Sequence, residues 1–264
     1  MARIGSTATA IGRLVGGVAG FVIWLATWQL LTTVGPLAGV SGIPTMSDAV
    51  REGVGVVRDP DFWVAIGQTL GMALMGLALA LVLGVSLGLA TAVWEPVRAA
   101  LDPTIQFLRP LPPIVILPLL LMVLGPTWNF GVALAAFGAI WPIVLQVQIG
   151  IRDVDPVMLE TARAMNLPWH KVQTSIVLPS ATPFIITGIR IGATFALLLA
   201  IGAGLLGGAP GLGRRILIAQ EALQSDLAFG LILWSGVIGT LFALALNSLE
   251  QAVLRGRRPL EEHV

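Results

Sequence analysis

Long apolar runs alternate with short polar stretches along this chain, and the runs have the length of membrane-crossing helices. A helix needs about 20 mostly apolar residues to cross a hydrocarbon core roughly 30 Å thick. Residues 14–37, 66–94, 103–124, 128–150, 181–206 and 227–254 fit that length. The pattern predicts an all-α polytopic membrane protein with six transmembrane helices, forming a single domain over 1–264. The first run is too long for a signal peptide and lacks a cleavage site after it, so it reads as a span. Polar residues 38–65, with Pro44, Asp48, Arg51 and Glu52 among them, read as a loop carrying a short amphipathic run.

Finer features sit inside this pattern. Gly67 with Gly71, and Gly84 with Gly88, recur at i and i+4 in the second run. Each pair lies on one helix face and permits close approach by another helix, either as static packing or as a sliding seam; static packing is the ordinary outcome. Glu95 to Asp102 reads as a short charged turn. The third run holds Pro110, Pro112 and Pro113, which cannot donate helical hydrogen bonds. Irregular backbone at membrane depth survives only inside protein or against water. A broken helix is therefore expected there, with Arg109 facing protein or water. The glycine-rich stretch 202–213, with Pro210, reads as a loop or re-entrant turn.

The main polar interruption is 151–180, between the fourth and fifth runs. Asp155 can cap a helix and Pro156 suits its first position, where the N–H has no helical partner. Met158, Ala162 and Met165 then recur at i, i+4 and i+7, an apolar stripe flanked by Glu160 and Arg163. Asn166 stands where a left-handed residue would end the helix. Pro168 can open a second short helix, expected to stop by Pro179. A short exposed helix with one apolar face is a docking element for a groove on another protein.

Composition agrees with the membrane reading: 56% of residues are hydrophobic and only 11% charged, against about 25% charged in soluble domains. The absence of cysteine excludes disulfides and thiolate chemistry. A net charge of +1 argues against nucleic acid as a partner. Lys171, the only lysine, follows His170, so no phosphate-binding Gly-Lys-Ser/Thr loop exists. His170 and His263 lie far apart with no second ligand nearby, and the serines have no supporting base, so neither a metal site nor a catalytic triad is expected.

An even number of spans puts both termini on one side. With the termini inside, Arg3, Arg13, Arg98, Arg152, Arg163, Lys171, Arg255, Arg257 and Arg258 face the cytoplasm, and only Arg51, Arg58, Arg214 and Arg215 lie outside. The excess of basic residues marks the cytoplasmic side. This orientation places 151–180 in the cytoplasm.

Glu160-Thr161-Ala162, Asn166, and then Ile176, Leu178 and Pro179 resemble the signature loop of binding-protein-dependent ABC importer permeases, which reads Glu-Ala-Ala-x-x-x-Gly and later Ile-x-Leu-Pro. Thr161 replaces the first alanine and Asn166 the glycine; the asparagine keeps the capacity for positive φ. Ile43-Pro44-Thr45-Met46-Ser47, Leu101-Asp102-Pro103, the segment from Phe107 to Pro113, and Gly211-Leu212-Gly213 are similar to the nitrate, taurine and aliphatic-sulfonate branch. The resemblance runs from about Trp24 to Arg255.

It implies a permease in the bacterial inner membrane, carrying a small anionic solute. The implied partners are ABC ATPase subunits, an extracytoplasmic solute-binding protein, a second permease copy and membrane lipid. This chain would bind no cofactor; ATP and Mg would be used by the ATPase. The implied coupling site comprises Val157, Met158, Leu159, Glu160, Thr161, Ala162, Arg163, Ala164, Met165, Asn166, Leu167 and Pro168, with Leu178 and Pro179. Glu160 would either touch the partner or brace the helix by an internal salt bridge.

Charges inside spans are costly unless paired, which makes them functional candidates. Arg109 and Arg190, with the neighbouring Pro110, Pro112 and Pro113, either help attract and gate an anion or serve structure. The structural reading has both arginines near span ends, capping carbonyls or pairing with Asp102, Glu160 or Asp153. Two other classes stay open. An ion-coupled secondary transporter would need midplane carboxylates, which the spans lack. A membrane scaffold would need no pathway at all.

Overall fold

The computed structural model describes residues 4–40 and 42–255. Arg3, Arg257, Arg258 and His263, used in the reading above, lie outside the described residues. The described backbone is helical, in chain order α1 (Ile4–Thr33), α2 (Met46–Val56), α3 (Pro60–Val93), α4 (Glu95–Leu108), α5 (Pro113–Leu124), α6 (Trp128–Arg152), α7 (Pro156–Ala164), α8 (Trp169–Val172), α9 (Leu178–Gly207), α10 (Leu212–Glu221) and α11 (Ser225–Arg255). Four helical runs are long and apolar enough to cross a membrane: Pro60–Val93, Trp128–Arg152, Trp169–Glu221 and Ser225–Ser248. A fifth arises if α4 and α5 count as one bent span, and α1 contributes a shorter apolar stretch, Ala19–Thr33.

The centre of the molecule is a three-helix pack of α3, α6 and α9. Small residues set its closeness. A Cβ at Gly84 would stand 2.9 Å from Ile143 Cγ2, and one at Gly88 2.7 Å from Val147 Cβ. This glycine pair is a true seam against α6. The other is not: nothing lies within 4 Å of a Cβ at Gly67, and Gly71 meets only the Trp128 ring. Ala73, Ala80, Ala135, Ala139, Ala193, Ala196 and Ala200 are all buried in the same core. With lipid as solvent, such packing rests on close van der Waals fit rather than on the hydrophobic effect. One polar bond crosses the seam, where Gln148 Nε2 donates to Thr91 Oγ1 at 2.7 Å.

A second cluster closes the end of the bundle where α3 begins. Val56, Phe62, Leu212, Ile216, Leu231 and Ile238 are buried together, with Trp234 alongside. The predicted amphipathic run is α2, capped by Thr45, whose hydroxyl accepts from the Asp48 amide at 3.2 Å. It packs on α11 so closely that Trp234 Nε1 reaches the Gly53 carbonyl at 2.8 Å.

Three expectations need correction and one is met. The first span was expected to run to Leu37, but α1 stops at Thr33, ahead of Gly35 and Pro36. Glu95 to Asp102 is no turn: it opens α4, an amphipathic helix with no buried residue and an Arg98–Glu95 salt bridge. Pro96 and Pro103 do not prevent this helix, because Pro96 falls in the first turn and Pro103 lies on an exposed position where a lost bond can be made up by water. The break expected at Pro110, Pro112 and Pro113 is present, so the third span does not run straight over 103–124. α4 and α5 meet at 95°, and α5 alone covers only about 18 Å. Finally, within 202–213 only 208–211 is loop: α9 runs to Gly207, Gly208, at φ 71, turns the chain, and α10 opens at Leu212.

Candidate functional site

The segment between α6 and α9 is built from its caps. Asp155 Oδ1 accepts from the Val157 amide at 2.8 Å, and Pro156 takes the first helical position of α7. At the other end Asn166 has φ 51. Its amide donates to the Arg163 carbonyl at 2.9 Å and the Leu167 amide to the Ala162 carbonyl at 3.0 Å. That pair of bonds is the Schellman arrangement, which satisfies carbonyls the helix leaves open. Asn166 thus does the work of a glycine.

The helix shows a different face from the one its spacing suggests. Ala162 is 2% exposed and Leu159 half-buried, while Met158 and Met165 are 48% and 67% exposed. The apolar stripe of Met158, Ala162 and Met165 is therefore split: one small residue turns in and both methionines turn out. Val157, Glu160, Thr161, Arg163 and Ala164 are also exposed. Beneath α7 lies a cavity of about 530 Å³ lined by Leu159, Arg163, Leu167, Val93 and Ile151. Among the described residues Glu160 forms no salt bridge, so no internal brace of that kind is present.

The second short helix does not stop by Pro179. From Trp169 the chain runs through α8 and a π-helical stretch, Gln173–Val177, directly into α9. The wider π turn shifts the ladder ahead of the proline, whose ring would otherwise clash with a carbonyl one turn back and whose missing N–H would leave that carbonyl unpaired. Leu178 and Pro179 consequently belong to the start of α9, both exposed, with Val177 buried beside them. Leu178 also lines a mainly apolar cavity of about 320 Å³ with Trp94, Trp169 and Gln173. A helical run from Trp169 thus leads into the central pack, separated from α7 by residues 165–168.

The arginines and prolines flagged inside the third and fifth runs fall on separate elements. Pro110, Pro112 and Pro113 occupy the 95° bend between α4 and α5, where Arg109 caps α4 and is exposed. Among the described residues Arg109 makes no salt bridge. Arg190, on α9, does not pair with Asp102, Glu160 or Asp153. Its Nη1 meets Glu250 Oε2 of α11 at 3.2 Å. The signal was present in the sequence: Arg190 is the sole charge in 181–206 and Glu250 the sole charge in 227–254. Two lone opposite charges in apolar runs gain most by meeting each other.

A third ion pair escaped sequence reading. Arg215 of α10 binds Asp59, the cap of α3, and its Nη1 is buried without a hydrogen-bond partner among the described residues. The hydrogen bond from Arg215, reinforced by the Asp61 amide, holds the Asp59 carboxyl below its usual range.

Comparison with known proteins fits this architecture. Residues 80–258 match the family described as binding-protein-dependent transport system inner membrane component. A putative aliphatic sulfonates transport permease, SsuC of Bacillus subtilis (strain 168), is 28% identical over 90% of this chain and 86% of its own. The nitrate import permease NrtB of Synechocystis sp. (strain ATCC 27184 / PCC 6803 / Kazusa) is 27% identical over 92% of this chain and 90% of its own. The taurine transport system permease TauC of Escherichia coli (strain K12) is 28% identical over 73% and 70%. In fold, the chain superposes on a chain of the MetNI methionine ABC transporter with TM-score 0.63, at 19% identity, covering 74% of this chain and 98% of that one.

Proposed function

The chain belongs to the family of binding-protein-dependent transport system inner membrane components, and from that premise we propose how it works as the permease subunit of an ABC importer. Family membership brings an ATPase and a solute-binding protein as partners. The finer reading is that α7 is the coupling helix, seated in a groove of a cytoplasmic ATPase. Movement there travels through α8 and the π turn into α9, and so into the helices around the pathway. Counting α1 and the bent α4–α5 pair as spans brings the total to six, with both termini cytoplasmic. Two permease copies would flank the pathway, each holding one ATPase. The solute is a small anion, a sulfonate or nitrate for example, in keeping with the relatives named above. Arg109 and the prolines of the bend form a flexible gate beside it, while the Arg190–Glu250 pair ties α9 to α11.

The observation that carries this reading is the form of α7: capped at both ends, anchored by the buried Ala162 and half-buried Leu159, otherwise presented outward, and joined by residues 165–168 to the helical run that enters the core. A solvated loop would need none of these. Deleting 157–167, or making Glu160→Arg, is expected to abolish ATPase co-purification and transport while the subunit still inserts in the membrane. Normal transport by the deletion variant would overturn the assignment. A cysteine at Ala164 should cross-link to a nucleotide-binding chain in intact cells.

A further inference from the structure

Two adjoining cavities meet where α3 ends, one of about 320 Å³ and one of about 530 Å³, and Val93, Trp169 and Gln173 line both. We propose that together they hold one anionic phospholipid of the cytoplasmic leaflet, with an acyl chain in the first and the headgroup phosphate against Arg163 in the second. Their order along α3 has the polarity of an amphiphile. The first cavity follows α3 from Ser86 to Trp94 and is mainly apolar. The second begins at Ala92, beneath α7, and takes in Arg163. Depth agrees with this order. Gly88 of α3 packs on Val147 of α6, roughly 8 Å short of Arg152, where α6 ends. The apolar cavity therefore starts inside the hydrocarbon and finishes at its edge. Trp94 and Trp169, both exposed, stand at that edge, where indole rings favour the boundary between acyl chains and headgroups.

Charge selects the headgroup. Among the described residues Arg163 is the one ionic group lining either cavity, and it forms no salt bridge. Its fork of N–H groups suits phosphate oxygens. Leu159 and Arg163, four residues apart, share the face of α7 turned toward the second cavity. A phosphate bound there does not compete with an ATPase seated on the outward methionines. A soluble anion would leave the apolar cavity empty, and an apolar helix would leave Arg163 unpaired; a phospholipid satisfies both. The lipid then braces the junction 165–168 between α7 and the helical run into the core. Only the naming of the leaflet as cytoplasmic rests on the permease reading.

Native mass spectrometry of the full chain in detergent, with no ATPase or solute-binding protein present, tests this by titration. The probes are dioleoyl phosphatidylglycerol, dioleoyl phosphatidylcholine and glycerol phosphate. A single phosphatidylglycerol is expected to bind each chain about fivefold tighter than phosphatidylcholine, the worth of one arginine at an anionic surface. Glycerol phosphate, lacking a chain, is expected not to bind measurably. Arg163→Gln should bring phosphatidylglycerol down to the affinity of phosphatidylcholine, and Ala90→Phe, which fills the apolar cavity from α3, should weaken both lipids. Equal affinity for the two lipids in the wild-type chain, an undiminished preference in Arg163→Gln, or undiminished lipid binding in Ala90→Phe overturns the proposal. Glycerol phosphate bound as tightly as phosphatidylglycerol overturns it in favour of a soluble anion. Failure here with the ATPase still captured at α7 would reject the lipid site alone; lipid binding without ATPase capture would reject the coupling helix alone.

Discussion

α7 and α10 are two answers to the same local problem. Each is a short helix between long apolar ones, and each ends in a Schellman arrangement with a residue other than glycine in the left-handed region: Asn166 at φ 51 and Leu223 at φ 57. In α10 the Leu223 amide donates to the Gln220 carbonyl at 3.0 Å and the Gln224 amide to the Ala219 carbonyl at 2.9 Å. The caps match, yet the packing is opposite. α10 buries Leu212, Gly213, Ile216 and Ala219, and its first amide donates to Thr69 Oγ1 of α3 at 2.9 Å. α7 buries Ala162 alone. Cap geometry makes a short helix possible; the number of faces it buries decides whether it is wedge or handle.

The wedge should break most easily. A Cβ on Gly213 would stand 2.7 Å from the Leu205 amide nitrogen and closer still to the Ile201 carbonyl oxygen. Both are backbone atoms that cannot swing aside. Gly213→Ala is therefore expected to destabilise the subunit by about 3 kcal/mol, seen as a lower melting midpoint in detergent. Ala162→Leu, on the handle, should cost about 2 kcal/mol by the same overpacking. Its effect should appear first as weaker ATPase capture, before any fall in the melting midpoint, because the core does not depend on α7. An equal loss of midpoint in both variants would erase the contrast between the two helices.

The caps differ more gently. Leucine in the left-handed region is strained by roughly 1–2 kcal/mol, and Leu223 is 88% exposed, so packing gains little from it. Leu223→Gly is expected to raise stability by about 1 kcal/mol, and Asn166→Gly to change it by only a few tenths, since asparagine tolerates this region. Comparable shifts in the two melting midpoints would count against the strain argument.

The smallest expected effect is with pH. Asp59 has its pKa lowered by Arg215, so its bridge contributes above the ordinary carboxylate value of 3.8 and is lost as pH falls through the lower folded value. Asp59→Asn should flatten the acid limb of a melting-midpoint profile while leaving the neutral region little changed.

Much of this architecture was legible residue by residue. Asp155, Pro156 and Asn166 announce the ends of α7 because capping is decided by atoms within a turn of the helix end. Pro110, Pro112 and Pro113 announce the bend for the same reason: a missing N–H is local. The inward face of α7 was not legible. Met158 and Met165 have the right spacing to face a core, but only Ala162 of the stripe is buried and both methionines are left outside.

What the sequence alone determined was the membrane as solvent, the apolar runs, the caps and the breaks, since each depends on composition or on hydrogen bonds within a few residues. The tertiary structure alone decided the rest: that Gly84 and Gly88 form a seam while Gly67 and Gly71 do not, that α8 flows through Pro179 into α9, and that Arg190 finds Glu250 and Arg215 finds Asp59. Those outcomes depend on which helix lies beside which and at what depth. Side-chain periodicity gives a helix its faces but does not choose its neighbours.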